Sequence, residues 1–313
     1  MTDLFETAAA EQAIRNVFLR TAVPKGYREV KLPMLESYET YETIQTTQER
    51  NRLLKLIGRD GAIRVLRPDM TIALMKELAA GASADARDLR CWYMQPVFRQ
   101  EEDKAGPSER RQAGIELFGE ETVGRDAEAI LLACKVMMEA GVTDFKLEIG
   151  HAGILDEAAQ RMKLDENKTR QAAALLQQKN SGEMAGFIAE NGVDEATGSF
   201  LKYLIGTYGS AANVSTRLGQ SSMNSRTDKI FTHLKAVIGL VADQGYGHCL
   251  TIDLGMVNDM DYYSGIQFQG FSSSYGKPVL MGGRYDNVSR KFGADLPAVG
   301  FACFVDALIA GKS

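Results

Sequence analysis

Cys91-Trp92-Tyr93-Met94-Gln95-Pro96-Val97-Phe98-Arg99-Gln100 and, after a polar stretch, Gln112-Ala113-Gly114-Ile115-Glu116-Leu117-Phe118-Gly119 decide the fold. Both runs read as strands, and the polar loop Glu101 to Arg111 joins them with no helix between. Side chains alternate along a strand, so Gln112, Gly114 and Glu116 share one sheet face while Ala113, Ile115 and Leu117 share the other. The apolar trio belongs to a core. Gln112 and Glu116 then either face solvent or line a polar cavity.

Outward from this pair, residues 5–22 have helical spacing. Ala10, Ile14, Val17, Phe18 and Ala22 can share a face, Asp3 can cap the run, and Pro24-Lys25-Gly26 breaks it. Residues 27–32 predict a strand that Pro33 ends or confines to an edge. Residues 53–57 and 63–66 predict a hairpin around Gly58-Arg59-Asp60-Gly61. Past Pro68, Asp69 or Thr71 starts a helix that runs to Gly81. Residues 127–140 predict a helix capped by Asp126 and stopped by Gly141, and residues 145–149 a strand. From 152 to 245 the composition turns to Ala, Gln, Leu, Asn and Lys with helical spacing and no convincing strand. Strands resume at 249–255, 265–271 and 277–281, and residues 297–311 give a final strand and helix. Strands without regular βαβ alternation predict an α+β fold with an antiparallel sheet. The expected division is a core of residues 1–151 and 246–313 with residues 152–245 as a helical insertion.

The chain has 313 residues, 45% hydrophobic and 25% charged, enough for a large core. A net charge of −5 lacks the basic excess that a binder of phosphate backbones carries. Cys91, Cys134, Cys249 and Cys303 are scattered without a C-x-x-C pair, and His151, His233 and His248 are dispersed, which argues against disulfides and a metal site. His248-Cys249, adjacent on a predicted strand, would face opposite ways rather than form a nucleophile pair. Neither a P-loop nor a G-x-G-x-x-G between strand and helix is present, so no cofactor is called for. No stretch approaches 18 apolar residues, and the chain reads as a soluble cytoplasmic protein.

Three further segments carry chemistry. Leu66-Arg67-Pro68-Asp69-Met70-Thr71 puts a carboxylate and a hydroxyl at a strand end, where they cap a helix or meet an ammonium group. Asp261-Tyr262-Tyr263-Ser264-Gly265 and Gly282-Gly283-Arg284-Tyr285-Asp286 bring tyrosines beside glycines. The glycines let a ligand approach the backbone with Tyr285 leaning over it, or they form a tight turn among packed aromatics.

In this order, and together with Phe98-Arg99, residues 112–119 and Pro297-Ala298-Val299-Gly300-Phe301, these segments resemble histidyl-tRNA synthetase. Gly26-Tyr27 through Leu32-Pro33-Met34-Leu35-Glu36 is similar to the dimer-forming motif 1 of that family. The resemblance covers about residues 10–150 and 248–311, and the helical segment matches in placement more than in sequence. It implies a class II aminoacyl-tRNA synthetase-like antiparallel sheet flanked by helices, and a homodimer. It also implies a histidine pocket: Asp69 and Thr71 at the α-ammonium with Gln112 beside them, Glu116 and Tyr263 at the imidazole with Tyr262 and Tyr285 close by, and Arg99 at the carboxylate and a phosphate.

The same resemblance shows what is missing for adenylation, whose transition-state charge needs fixed cations. The family's arginine three residues before Asp-Tyr-Tyr is Asn258 here. Its motif 3 arginine is Ala307, although the preceding acid persists as Asp306. The loop Glu101 to Arg111 is short and acidic and lacks an aromatic residue, with Arg110 and Arg111 as partial compensation. The sequence ends after motif 3 without an anticodon-binding domain. This pattern resembles a paralogous family, the regulatory subunits of ATP phosphoribosyltransferase. The resemblance implies a non-catalytic subunit in a hetero-oligomer with a short-form catalytic subunit, L-histidine as effector, and no nucleic acid or membrane partner. Two other readings stand beside it: a truncated amino-acid-activating ligase, and a scaffold with a relic pocket.

Overall fold

The computed structural model describes residues 4–42, 50–81, 88–100, 107–257 and 263–312. The first helix, Leu4–Thr21, buries Ile14, Val17, Phe18 and Thr21 at helical spacing. A short 3-10 turn, Val23–Lys25, follows it and closes at Gly26, whose φ of 85° suits glycine and whose N–H returns to Val23 O. The Asp3 cap lies outside the described residues.

Twelve strands follow among the described residues: β1 (Arg28–Glu29), β2 (Leu35–Ser37), β3 (Lys55–Ile57), β4 (Ile63–Leu66), β5 (Arg90–Gln100), β6 (Pro107–Phe118), β7 (Lys146–His151), β8 (Tyr208–Ser210), β9 (Leu250–Asp253), β10 (Ile266–Ser272), β11 (Tyr275–Arg284) and β12 (Ala298–Phe304). Nine form one sheet in the order β1-β5-β6-β12-β11-β10-β7-β9-β8, and β2-β4-β3 form a second. The large sheet is antiparallel except where β1 meets β5 and β7 meets β9. The expected hairpin is β3 and β4, paired antiparallel.

The expected strand over 27–32 shrinks to β1 because a side chain takes over the ladder. Gln95 Nε2 donates to Val30 O at 2.8 Å, and Leu32 N donates to Gln95 Oε1 at 3.2 Å. In contrast, β11 runs past the expected end at 281, since it stays paired on both sides through Gly283. Gly282 and Gly283 are therefore strand residues rather than a turn.

One face of the large sheet is covered by Leu4–Thr21, by Val123–Glu139 and, packed on the latter, by Ser225–Val241. Val123–Glu139 buries Ala129, Ala133 and Cys134 along with Ile130 and Val136, small residues that let it lie close to the strands. Its cap is Thr122, whose hydroxyl accepts from Arg125 N at 3.2 Å. Asp126 was the expected cap; it sits instead in the first turn, fully buried and ion-paired.

Between residues 152 and 245 lie helices Ala152–Met162, Glu166–Gln177, Ser181–Glu190, Glu195–Gly206 and Ser225–Val241. Asp165, Asn180, Asp194 and Asn224 cap four of them, each accepting a backbone N–H of the first turn. The segment also contains β8, which sequence reading missed: three residues around Gly209, at φ 140°, that extend the sheet beside β9. No helix among the described residues is long and apolar enough to cross a membrane.

Candidate functional site

The site lies on the sheet face opposite these helices. One register row crosses six strands there: Cys91, Glu116, Gly300, Gly283, Gln267 and Gly150 are successive cross-strand partners. The glycines leave space that larger neighbours fill. A Cβ on Gly300 would collide with the Glu116 carboxylate, and one on Gly283 with the Tyr263 ring. Gly282, on the other face, makes room for Phe268 and Phe301. The paired glycines thus admit aromatic rings of the chain itself, with the tyrosines in turn forming a wall.

Gln112 and Glu116 are buried, not solvated. Glu116 Oε1 accepts from Thr71 Oγ1 at 2.7 Å and from the Tyr93 hydroxyl at 3.4 Å, and the Tyr285 hydroxyl donates to Oε2. Gln112 Oε1 accepts from Met70 N at 3.0 Å, the first residue of helix Met70–Ala80. Asp69 caps that helix through Ile72 N at 2.8 Å while its side chain lines the cavity. Capping and cavity lining, alternatives in the sequence, coexist here. Arg99 Nε donates to Pro68 O at 2.8 Å, which holds the guanidinium at the cavity wall. The Tyr263 and Tyr285 rings meet edge-on, centroids 6.5 Å apart.

Asp69, Thr71, Arg99, Gln112, Glu116, Tyr263 and Tyr285 therefore line one cavity, across residues far apart in sequence. Tyr262 and Asn258 lie outside the described residues. Tyr93 escaped sequence reading. It is the cross-strand partner of Gly114, and a Cβ on Gly114 would press on its hydroxyl, so the lone glycine between Gln112 and Glu116 was its signal.

Burial pushes the Glu116 carboxyl up to about 8; the Thr71 and Tyr93 hydrogen bonds oppose that rise and the charge of Asp69 adds to it. Burial likewise holds the Tyr93 hydroxyl well above its ordinary range, so it remains a donor.

At the cavity's rim Arg110 grips Asp306, with Nε 3.2 Å from Oδ2 and a terminal nitrogen 3.0 Å from the same atom. Its guanidinium carbon lies 3.7 Å from the centre of the Phe304 ring. Arg111 pairs with Glu11 at 2.9 Å, on the helix Leu4–Thr21. Ala307 is buried.

A second charged node sits on the helix-covered face. Arg284 Nε and a terminal nitrogen reach Asp126 Oδ1 at 3.0 and 2.7 Å, another nitrogen reaches Asp286 at 3.0 Å, and His233 Nε2 lies 2.8 Å from Asp126 Oδ2. Glu121, Asp126 and His233 bring ligand-type atoms within 4.8 Å of one another, but the Arg284 guanidinium already on Asp126 would repel a cation. His248 and Cys249 are not on a strand. They share the turn Gly247–Cys249, which brings Sγ within 3.1 Å of Nε2, and burial pushes the thiol up, away from thiolate.

Residues 3–308 match the family model described as histidyl-tRNA synthetase. An ATP phosphoribosyltransferase regulatory subunit from Oceanobacillus iheyensis is 34% identical over 284 residues, covering 91% of this chain and 69% of that one. A crystal structure described as an ATP phosphoribosyltransferase regulatory subunit/histidyl-tRNA synthetase, from Bacillus halodurans C, superposes with a TM-score of 0.87 at 26% identity, covering 98% of this chain and 80% of that one. A chain of the ATP phosphoribosyl transferase HisG:HisZ complex from Thermotoga maritima shares the fold, with a TM-score of 0.73 at 18% identity over 94% of this chain and 97% of that one.

Proposed function

We propose a regulatory role for this chain from one premise: it belongs to the histidyl-tRNA synthetase family, in the branch of ATP phosphoribosyltransferase regulatory subunits. In this reading it joins a short-form catalytic subunit that transfers phosphoribosyl from PRPP to ATP at the start of histidine biosynthesis, and L-histidine acts through its pocket as a feedback inhibitor. The observation that carries the reading is the pairing of two carboxylates, Asp69 and Glu116, with one guanidinium, Arg99, around one cavity. That set complements a zwitterion with a basic ring. Asp69 meets the ammonium, Arg99 the carboxylate, and Glu116 the imidazole between Tyr263 and Tyr285. A buried carboxylate is stable as an anion only when paired, and an imidazole N–H offers that pairing.

Adenylation does not belong to this function. Arg110 is held by Asp306 and stacked on Phe304, and Ala307 supplies no charge. Losing one preorganised donor costs about 10²- to 10³-fold in rate, and several are missing together. Residues 152–245 act as an insertion that packs Ser225–Val241 on the core and adds β8 to its sheet. The chain dimerises through the motif 1 region, where Met34 and Leu35 are each 51% exposed.

The test mixes this chain with the short-form catalytic subunit. Activity should depend on both and be inhibited by histidine. Coupling of about 1–3 kcal/mol corresponds to a roughly 5- to 150-fold difference in histidine affinity between active and inactive states, and substrates on the partner should weaken histidine binding by the same factor. Glu116→Ala should keep activity and lose inhibition. Inhibition that survives places the effector elsewhere, and failure to form a complex on a sizing column ends the reading.

A further inference from the structure

Glu116 is 1% exposed, and among the described residues no cation reaches it. The groups facing it are the Thr71 hydroxyl and Asp69 from the start of helix Met70–Ala80, Tyr93 and Cys91 from β5, and Tyr285 at the end of β11; β12 offers only Gly300. Each hydroxyl can donate or accept. Three hydroxyls can therefore serve a carboxylic acid, accepting its proton while donating to its other lone pairs, and after a half-turn of one O–H they can serve a carboxylate. A fixed guanidinium could serve only the anion. The cage is built for both protonation states.

We propose that Glu116 is a neutral acid in the empty pocket and hands its proton to the ring nitrogen of a neutral imidazole ligand, which leaves a carboxylate–imidazolium pair inside the protein. The inference rests on the histidine reading above. The Glu116 O–H bond breaks, a ring N–H bond forms, and near neutral pH no proton is exchanged with solvent. A second carboxylate on the same cavity, Asp69, favours the neutral acid before the ligand arrives, and burial drives the carboxyl the same way.

The binding-competent forms are protonated Glu116 and unprotonated imidazole. They coexist between the ring's ordinary value of about 6.5 and the value of about 8 to which Glu116 is raised. Histidine titrations of the full chain should be tightest near the middle of that window, roughly tenfold weaker at pH 5.5 and roughly threefold weaker at pH 8.5. Calorimetry at the maximum should give the same uncorrected enthalpy in phosphate and in Tris, because almost no net proton passes to or from the buffer. Affinity that keeps rising below pH 6.5, with uptake of nearly one proton at neutral pH, would mean an ionised Glu116 and would overturn the inference while leaving the ligand reading intact. Glu116→Gln keeps the shape and stays neutral, so it should fold, and its affinity should no longer fall between pH 7.5 and 8.5. An alkaline limb that persists in this variant also overturns the inference. No binding at any pH overturns the ligand reading and this step with it.

Discussion

Glu116 and Asp126 are both buried acids on opposite sides of the same sheet, and their neighbours could hardly differ more. Asp126 meets two basic side chains, Arg284 and His233, drawn from β11 and from the helix Ser225–Val241. Glu116 meets hydroxyls. The first acid is satisfied by the chain itself and ties a helix of the 152–245 segment to the core. The second is left with a deficit that a ligand can fill. Buried charge thus has two uses here, and the partner's identity tells them apart: a cation within the chain marks structure, and its absence marks a site.

The contrast breaks most visibly at Asp126. Asp126→Ala leaves the Arg284 guanidinium buried with its main partner gone, a loss of about 3–5 kcal/mol. Urea denaturation should show that drop, with weaker packing of Ser225–Val241 visible by hydrogen exchange. A loss under about 1 kcal/mol would mean that Asp286 alone satisfies Arg284.

The opposite sign is expected at Glu116. Its folded-state value lies above its ordinary 4.5, at about 8. As pH rises through that window the unfolded chain gives up its proton first, so the empty protein loses stability between those values. Glu116→Gln cannot ionise and escapes the loss. The variant should gain up to about 4 kcal/mol at pH 8 and almost nothing at pH 4.5, read as a shift in thermal midpoint. Equal effects at both pH values would show that packing, not ionisation, separates the two side chains.

A smaller effect sharpens the helix-side node. The hydrogen bond to Asp126 raises His233 above its ordinary value. Its contribution is full below pH 6.5 and fades as pH rises through the raised value. His233→Gln should cost about 1–2 kcal/mol at pH 6 and progressively less toward pH 9. His151 works in the other direction: burial lowers it to about 4, so it penalises stability as pH falls from 6.5 toward that value. Stability curves of His233→Gln and His151→Gln should diverge from wild type on opposite slopes.

How far the sequence reveals this design depends on range. The period-2 alternation of Gln112, Gly114 and Glu116 gave the strand and its polar face, and Asp69 announced its helix, because caps and alternation are local. The pocket residues came from resemblance, since nothing in the spacing says that Asp69 and Tyr285 face the same cavity. Asp126 was misread as a cap because its partner, Arg284, is 158 residues away in sequence, while Thr122, which does the capping, looks no better locally. β8 was missed because three residues carry too little pattern, and its pairing with β9 is a tertiary decision.

The smallest effect belongs to Arg110 and Asp306, an ion pair of good geometry at the cavity rim. Its side chains are 21% and 59% exposed, against 1% and 0% for Arg284 and Asp126. Water screens the rim pair and already solvates either partner when the other is removed, so deletion strands no buried charge. Arg110 also stacks on Phe304 and makes other contacts, so Arg110→Ala alone would mix several losses. A double-mutant cycle with Asp306→Ala isolates the pair, and its coupling should be about 0.5–1 kcal/mol, falling further in 1 M salt. The Asp126–Arg284 cycle in the same buffers should exceed it severalfold and barely respond to salt. If the two couplings are equal, burial does not set the worth of these pairs, and the distinction drawn between the two faces of the sheet fails. Freeing Arg110 by Asp306→Ala should also leave pyrophosphate exchange at background, because one released guanidinium does not restore the charge that Ala307 fails to supply.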